Sequence, residues 1–212
     1  MPEISRTATP ESFAAAVGAL RVGRLVIIPT DTVFGLAADP TVDGATAAVF
    51  AAKRRSRELT LPILVADLQQ ARGVAALDGR GEALAAMHWP GGLTIVARRR
   101  GTSASWDLGD QRGSVGVRVP DHPLTLALLR RTGPLAVTSA NVSGEPPAVD
   151  CEGAVNALGA HIAIALCGGP APRGGASTVV DVTGPDVRVL REGSVSAAAI
   201  IAVTEGGPEG LG

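Results

Sequence analysis

Short β-branched runs alternate with stretches of helical period along this chain, and that alternation constrains its fold more than any other feature. Leu25–Ile28, Ile63–Ala66, Leu93–Ala97, Val115–Val119, Leu135–Val137, Ile162–Leu166, Thr178–Val182 and Val187–Leu190 read as strands. Thr9-Pro10-Glu11 combines an N-cap, a proline for the first helical position and an acid for the positive end of the helix dipole. Phe13, Ala16, Val17 and Leu20 then recur at helical spacing. Further helices are predicted over Ala45–Arg55, from a cap at Asp67 to Val74, over Gly81–Met87, from a cap at Asp121 to Arg131, over Asp150–Leu158 and over Val195–Val203. Thr102–Gly113 reads as a polar loop. Strands alternating with helices predict an α/β sheet covered by helices. The closing pair of strands, joined by the turn residues Thr183-Gly184-Pro185-Asp186, predicts that the sheet is mixed rather than purely parallel.

With 212 residues the chain can build one sizeable core, burying roughly 70% of the surface that the unfolded chain exposes. No internal repeat and no long linker interrupts it. One domain is expected over residues 10–203, with residues 1–9 and 204–212 as flexible ends. No apolar run approaches the roughly 18 residues a membrane span requires. The start Met-Pro-Glu-Ile-Ser-Arg-Thr carries an early acid and no apolar segment behind a basic start. A cytoplasmic location without membrane contact is therefore expected. Cys151 and Cys167 are too few and too irregularly placed for a disulfide framework or a zinc site, and both are expected to be reduced and structural. The histidines His88, His122 and His161 lack metal-ligand spacing, so no protein metal site is expected.

A formal charge of −1 argues against a surface that grips nucleic acid through many phosphates. Of the 19 lysines and arginines only Lys53 is a lysine, the cation with a compact, mobile ammonium. It opens the basic segment Lys53-Arg54-Arg55-Ser56-Arg57, which reads either as a solvated helix end or as a phosphate clamp. Polar residues gather behind two predicted strands: Thr30, Asp31 and Thr32 after Leu25–Ile28, and Thr138, Ser139, Asn141 and Ser143 after Leu135–Val137. Each cluster alone reads as turn and cap residues. Together they lie where ligands bind in open α/β sheets, at the carboxyl ends of strands. Arg118, on an apolar strand, requires an anion or a set of acceptors, because an unpaired buried charge is costly. There is no G-x-x-x-x-G-K-[ST] loop, and Gly79-Arg80-Gly81 lacks the strand and the third glycine of a dinucleotide loop. No Ser/His/Asp grouping can be assembled, so an enzyme built from this inventory works without a covalent nucleophile.

Seven segments, in the same order, resemble the YrdC-like family of threonylcarbamoyl-AMP synthases. They are Pro29-Thr30-Asp31-Thr32-Val33-Phe34-Gly35-Leu36, Lys53-Arg54-Arg55, Trp89-Pro90-Gly91-Gly92-Leu93-Thr94, Val117-Arg118-Val119-Pro120, Ser139-Ala140-Asn141-Val142-Ser143-Gly144, Ala176-Ser177-Thr178 and Leu190-Arg191-Glu192-Gly193. The resemblance implies a twisted open mixed sheet flanked by helices, with a large concave basic cavity. It implies conversion of L-threonine, bicarbonate and ATP to threonylcarbamoyl-AMP, pyrophosphate and water. ATP comes with Mg²⁺ held mainly through its phosphates, and no tightly bound organic cofactor is implied. A downstream threonylcarbamoyl transferase complex then modifies tRNA, with at most a weak tRNA contact to this chain. Carried over by position, Thr30, Thr32, Arg118 and Ser139 border threonine or its carbamate. Lys53 and Arg55 take the triphosphate as the catalytic cations, and Ser114, Asn141, Ser143, Ser177 and Arg191 contact the nucleotide. The chain departs from the family pattern at Phe34, where tyrosine is common, and at Leu64, where many members carry a histidine that would contact threonine.

Two other functions compete. A module that binds double-stranded RNA or tRNA without catalysis would use the same concave surface, but the net charge and the small number of aromatic residues offer little for phosphate contacts or base stacking. Carbamoyl transfer for hydrogenase maturation uses a related unit joined to an acylphosphatase-like domain and cysteine-rich zinc modules, neither of which is present here.

Overall fold

The structure, a computed structural model, describes residues 3–5, 8–148, 150–168 and 175–205. The first half of the chain forms β1 (Glu3–Ser5), α1 (Pro10–Arg21), β2 (Leu25–Ile28), β3 (Gly35–Ala38), α2 (Ala45–Lys53), β4 (Ile63–Leu64), α3 (Leu68–Val74), β5 (Ala75–Ala76), α4 (Gly79–His88) and β6 (Leu93–Arg99). After a 3₁₀ turn at Gly101–Ala104 come β7 (Ser114–Arg118), α5 (Pro123–Thr132), β8 (Leu135–Ser139), α6 (Cys151–Leu158), β9 (Ile162–Leu166), β10 (Thr178–Asp181), β11 (Arg188–Arg191) and α7 (Ala197–Glu205).

Local capping works as the sequence predicts at α1 and α3, and Asp150, expected inside α6, is its cap. Thr9 Oγ1 accepts from Ser12 N at 3.2 Å while Ser12 Oγ accepts from Thr9 N at 3.0 Å, a reciprocal capping box ahead of Pro10. Asp67 and Asp150 cap α3 and α6 through their carboxylates. At α5 the expected cap is displaced by one residue: His122 is the N-cap, with Pro123 in the first turn. Asp121 is held outside the helix because its N–H donates to Asp31 Oδ1 at 3.0 Å. Three strands were not foreseen, the shortest being β5, which pairs with β6. β1 lies within the stretch expected to be flexible, yet pairs in parallel with Ile164–Leu166 of β9. β3 consists of glycine, leucine and two alanines, which carry little strand propensity; it is a strand because β2 and β8 pair with it on either side.

The sheet runs β1-β9-β2-β3-β8-β4-β7-β6-β10-β11, with β5 beside β6. β1, β9 and β2 are parallel, β4 and β7 are parallel and β6 and β10 are parallel, whereas the β2–β3, β3–β8, β4–β8, β6–β7 and β10–β11 pairings are antiparallel. One apolar cluster packs α2, α3, α4 and α6 on one face, through residues such as Val49, Val74, Leu84 and Leu158 against Leu36, Ile63, Ile95 and Val117. The other face carries a smaller cluster in which Ala16, Val17 and Leu20 of α1 and Leu128 and Leu129 of α5 cover Val26, Ile28, Ala37, Val137 and Ile164.

Cys151, the first residue of α6, is bonded to Cys167, just past the end of β9, with the Cα atoms 5.6 Å apart. This corrects the expectation of two reduced cysteines. The bridge is invisible in a spacing of 16 residues, but α6 packs back on β9 and brings its start within bridging range of that strand's end. Among the described residues no helix is long and apolar enough to cross a membrane.

Candidate functional site

The second face of the sheet is covered by α1 and α5 only as far as β8 and β4. Beyond that, alternate side chains of β6, β7 and β10 point away from the core. Leu93, Ile95, Ala97, Val115, Val117 and Val180 enter the larger cluster, while Thr94, Val96, Ser114, Gly116, Arg118, Val179 and Asp181 line two cavities of about 350 and 370 Å³. The cavities adjoin, sharing Arg55, Pro62, Thr94, Ser177 and Arg191 as walls. Gly116 keeps the floor low: a Cβ there would meet Thr94 Cγ2 at 3.0 Å.

Most of the residues singled out from the sequence meet here. Thr30, Thr32, Arg55, Arg118, Ser139, Asn141, Ser177 and Arg191 line the first cavity and Ser114 the second. Lys53 and Ser143 line neither. Leu64, in place of a histidine, forms part of the first cavity's apolar wall and is nearly buried.

One side of the first cavity is a single hydrogen-bonded unit. In the turn after β2, Thr30 Oγ1 donates to Val33 O at 2.5 Å, accepts from the N–H groups of Thr32 and Val33, and lies 3.1 Å from Thr32 Oγ1. Arg118, at the end of β7, donates through Nη1 to Thr32 Oγ1 at 2.9 Å, through Nε to Gly91 O at 2.9 Å and through Nη2 to Asp31 Oδ1. The acceptors that a buried guanidinium demands are thus internal. Gly91 is presented by the Trp89-Pro90-Gly91-Gly92 turn, whose Trp89–Pro90 bond is cis and whose Gly91 N–H is held by Val119 O. Burial lowers the pKa of Arg118, Asp31 raises it and the charge of Arg191 lowers it further.

The opposite side differs. Arg55 donates to Leu59 O, and Arg191 donates to Ser177 O at 2.8 Å and Ser177 Oγ at 3.2 Å; neither forms an ion pair with a carboxylate of the described residues. Burial, reinforced by the charge of Arg191, lowers the pKa of Arg55. Ser177 Oγ also lies 2.9 Å from Thr94 Oγ1. Glu145, exposed at the rim, is the one carboxylate among the described lining residues of this cavity.

Lys53 is 1% exposed, and its ammonium donates to the carbonyls of Ser139 and Asn141. Desolvation, with the charge of Arg55 adding to it, lowers its pKa to about 8. The Lys53 carbonyl in turn accepts from Ser143 N at 2.9 Å, so the end of α2 clamps the loop after β8. Within that loop Asn141 Nδ2 donates to Val142 O and Glu145 O, while buried Asn141 Oδ1 and Ser143 Oγ have no hydrogen-bond partner among the described residues. Asp31, expected with Thr30 and Thr32 to wall the site, instead lies outside the cavity lining and pairs with Arg118, and Gly91 and Gly116 carry no expectation from the sequence. Asp31 and Gly91 fall within motifs already quoted; the alternation of Ser114, Gly116 and Arg118 with three valines was the available signal for an exposed floor. No cluster of three or more histidine, cysteine, aspartate or glutamate residues able to hold a metal occurs among the described residues.

Residues 18–193 match the family model of Sua5, YciO and YrdC, described as telomere recombination. A Mycobacterium tuberculosis protein, provisionally named as a threonylcarbamoyl-AMP synthase, is 44% identical over 209 residues, which cover 96% of this chain and 95% of that protein. The threonylcarbamoyl-AMP synthase of Vibrio cholerae is 36% identical over 187 residues, covering 86% and 98%. Among solved structures, P. abyssi Sua5 complexed with L-threonine matches with a TM-score of 0.84 at 30% identity, over 96% of this chain and 60% of that one. The mixed sheet, the open face and these matches converge: the chain belongs to the Sua5/YciO/YrdC family.

Proposed function

We propose that the chain is an L-threonylcarbamoyladenylate synthase, which makes threonylcarbamoyl-AMP from L-threonine, bicarbonate and ATP as the first step of threonylcarbamoyladenosine formation in tRNA. The observation that carries this reading is the gathering of Thr30, Thr32, Arg55, Arg118, Ser139, Asn141, Ser177 and Arg191, from separate segments, around one cavity. Relatives named for this activity, and a threonine complex of a relative, support it.

In this reading threonine lies against Thr30, Thr32, Arg118 and Ser139. Arg118 spends three of its five N–H groups on Gly91, Thr32 and Asp31, leaving two for a carboxylate. The amine, taking up bicarbonate with loss of water, becomes a carbamate. A carbamate oxygen then attacks the α-phosphorus of ATP, and the bond to the bridging oxygen breaks with its electrons leaving on pyrophosphate. Both reactants are anions, so the protein supplies alignment and charge neutralisation rather than a nucleophile. Arg55 and Arg191, without acid partners, face the phosphates; Ser114, Asn141, Ser143 and Ser177 supply hydroxyl and amide contacts to the nucleotide. The orphaned Asn141 Oδ1 and Ser143 Oγ suit such contacts. Lys53 acts through the loop it clamps, setting the positions of Ser139 and Asn141. Magnesium enters with ATP as substrate, because cavity walls of guanidinium and hydroxyl groups suit phosphates rather than a resident metal. A transferase complex in the cytoplasm then takes the labile mixed anhydride to tRNA.

The test is pyrophosphate release by the purified protein with ATP, Mg²⁺ and bicarbonate, comparing L-threonine, L-serine and no amino acid. Threonine- and bicarbonate-dependent release is expected. Absence of release, together with salt-sensitive tRNA binding, would replace this reading with the RNA-binding one.

A further inference from the structure

Three guanidiniums line the same cavity, and among the described residues only that of Arg118 is ion-paired. Arg118 is ion-paired to Asp31, both side chains being 7% exposed, while Arg55 and Arg191 donate only to main-chain carbonyls and the Ser177 hydroxyl. Asp31 is not itself a wall of the cavity. It sits behind Arg118, and its Oδ1 also accepts the N–H of Asp121, which fixes the carboxylate to the junction between β7 and α5. Resting on the function proposed above, we propose that Asp31 is a positioning and specificity-determining residue, cancelling the charge of Arg118 so that this end of the cavity takes one carboxylate and refuses phosphate.

The discrimination is electrostatic. ATP and the pyrophosphate product carry several negative charges each, whereas the amino-acid carboxylate carries one. An uncompensated arginine beside Thr32 would attract polyphosphate more strongly than threonine, and three like cations in one partly desolvated cavity would leave the triphosphate free to bind in either direction. With Asp31 in place, the Arg118 end offers two N–H donors but little net charge, and the Arg55–Arg191 end carries the two guanidiniums without an ion pair among the described residues, with Glu145 exposed at the rim. Discrimination then comes from a repulsive element placed against the wrong ligand as much as from contacts to the right one. Both Arg55 and Arg118 feel the charge of Arg191, so the three act within one field, and Asp31 sets its direction.

Steady-state inhibition by inorganic pyrophosphate, and calorimetric binding of L-threonine and of pyrophosphate, test this in the wild type and in Asp31→Asn and Asp31→Glu. In the wild type, pyrophosphate is expected to leave threonine binding uncompetitive or noncompetitive, never competitive. In Asp31→Asn, which keeps the shape and removes the charge, pyrophosphate should become competitive with threonine. The threonine KM should rise by about tenfold, with kcat at saturation changed less than about threefold. Asp31→Glu should restore the wild-type inhibition pattern in part, which a merely structural role would not require. A wild type that binds threonine but shows competition by pyrophosphate overturns the inference even if the variants fail to fold, and so does a folded Asp31→Asn whose inhibition pattern is unchanged. A wild type that binds no threonine overturns the function proposed above and this inference with it.

Discussion

The two halves of the sheet follow the same packing rule to opposite ends. In the half built from β9, β2, β3 and β8, helices lie on both faces, and β2 and β3 are buried at every position. In the half built from β7, β6 and β10 only one face is covered, and burial alternates along β7, with Val115 and Val117 inside and Ser114 and Gly116 part-exposed. Continuous apolar runs suit a strand covered twice, and alternation suits a strand covered once. The polar residues of this protein gather where a helical layer is missing. Function occupies the gap because a face with no helix over it leaves room for polar side chains: Ser114 is part-exposed, and the buried Arg118 and Thr94 offset their desolvation with internal hydrogen-bond partners.

That contrast can be broken from either side. On the covered half, Leu36→Ala removes a fully buried side chain from the larger core and is expected to cost about 3 kcal/mol of stability, while kcat/KM per folded molecule stays within twofold or so. Chemical denaturation followed by assay below the midpoint reads both. On the open half, Gly116→Leu should do the reverse. Its side chain would rise from the floor beside Thr94 and Val96, lowering threonine-dependent turnover by about a hundredfold, equivalent to about 2.7 kcal/mol, with the denaturation midpoint nearly unchanged. If Gly116→Leu destabilised as much as Leu36→Ala, the distinction between the halves would fall.

The Cys151–Cys167 bridge sharpens the comparison from the edge of the covered half, where it ties α6 to β9. Reduction, or replacement of both cysteines by alanine, is expected to lower stability by about 2 kcal/mol through release of a 16-residue loop, seen as a lower thermal midpoint in the presence of a dithiol. Such bridges are uncommon in reducing compartments, so the free-thiol count of protein purified under reducing and non-reducing conditions shows which state the cell maintains.

The smallest effect is a slope. Lys53 has a folded pKa of about 8 against an ordinary value of 10.5, so between those limits the unfolded chain binds more protons than the folded one. Stability contributed by this group therefore rises as pH increases from about 8 towards 10.5, and is flat below. Urea midpoints at pH 7.5 and 9.5, compared between wild type and Lys53→Met, should differ by that increment; an identical pH response in the variant would remove Lys53 as its source.

Much of this architecture is legible in the sequence, for local reasons. Helix starts at Pro10, Leu68 and Cys151 follow from Thr9, Asp67 and Asp150, each reaching a backbone N–H three residues on. Strands rich in valine, isoleucine and leucine declare themselves, and the turn at Thr183–Asp186 joins β10 to β11 in antiparallel register. Eight candidate site residues taken from the motif segments line the first cavity. Where prediction failed, the deciding partner was far away in the chain. β1 exists because β9 pairs with it, and β3 because β2 and β8 flank it. The ammonium of Lys53 meets the carbonyls of Ser139 and Asn141, 86 and 88 residues distant. Arg118 and Asp31 are 87 residues apart and meet only because β7 and the turn after β2 end at the same cavity. Local hydrogen bonds and side-chain periodicity are encoded within a few residues and so belong to the sequence itself. Which face remains open, which cation is neutralised and which cysteines meet are decided by strand order, because only the assembled sheet sets the distances over which charges and thiols act.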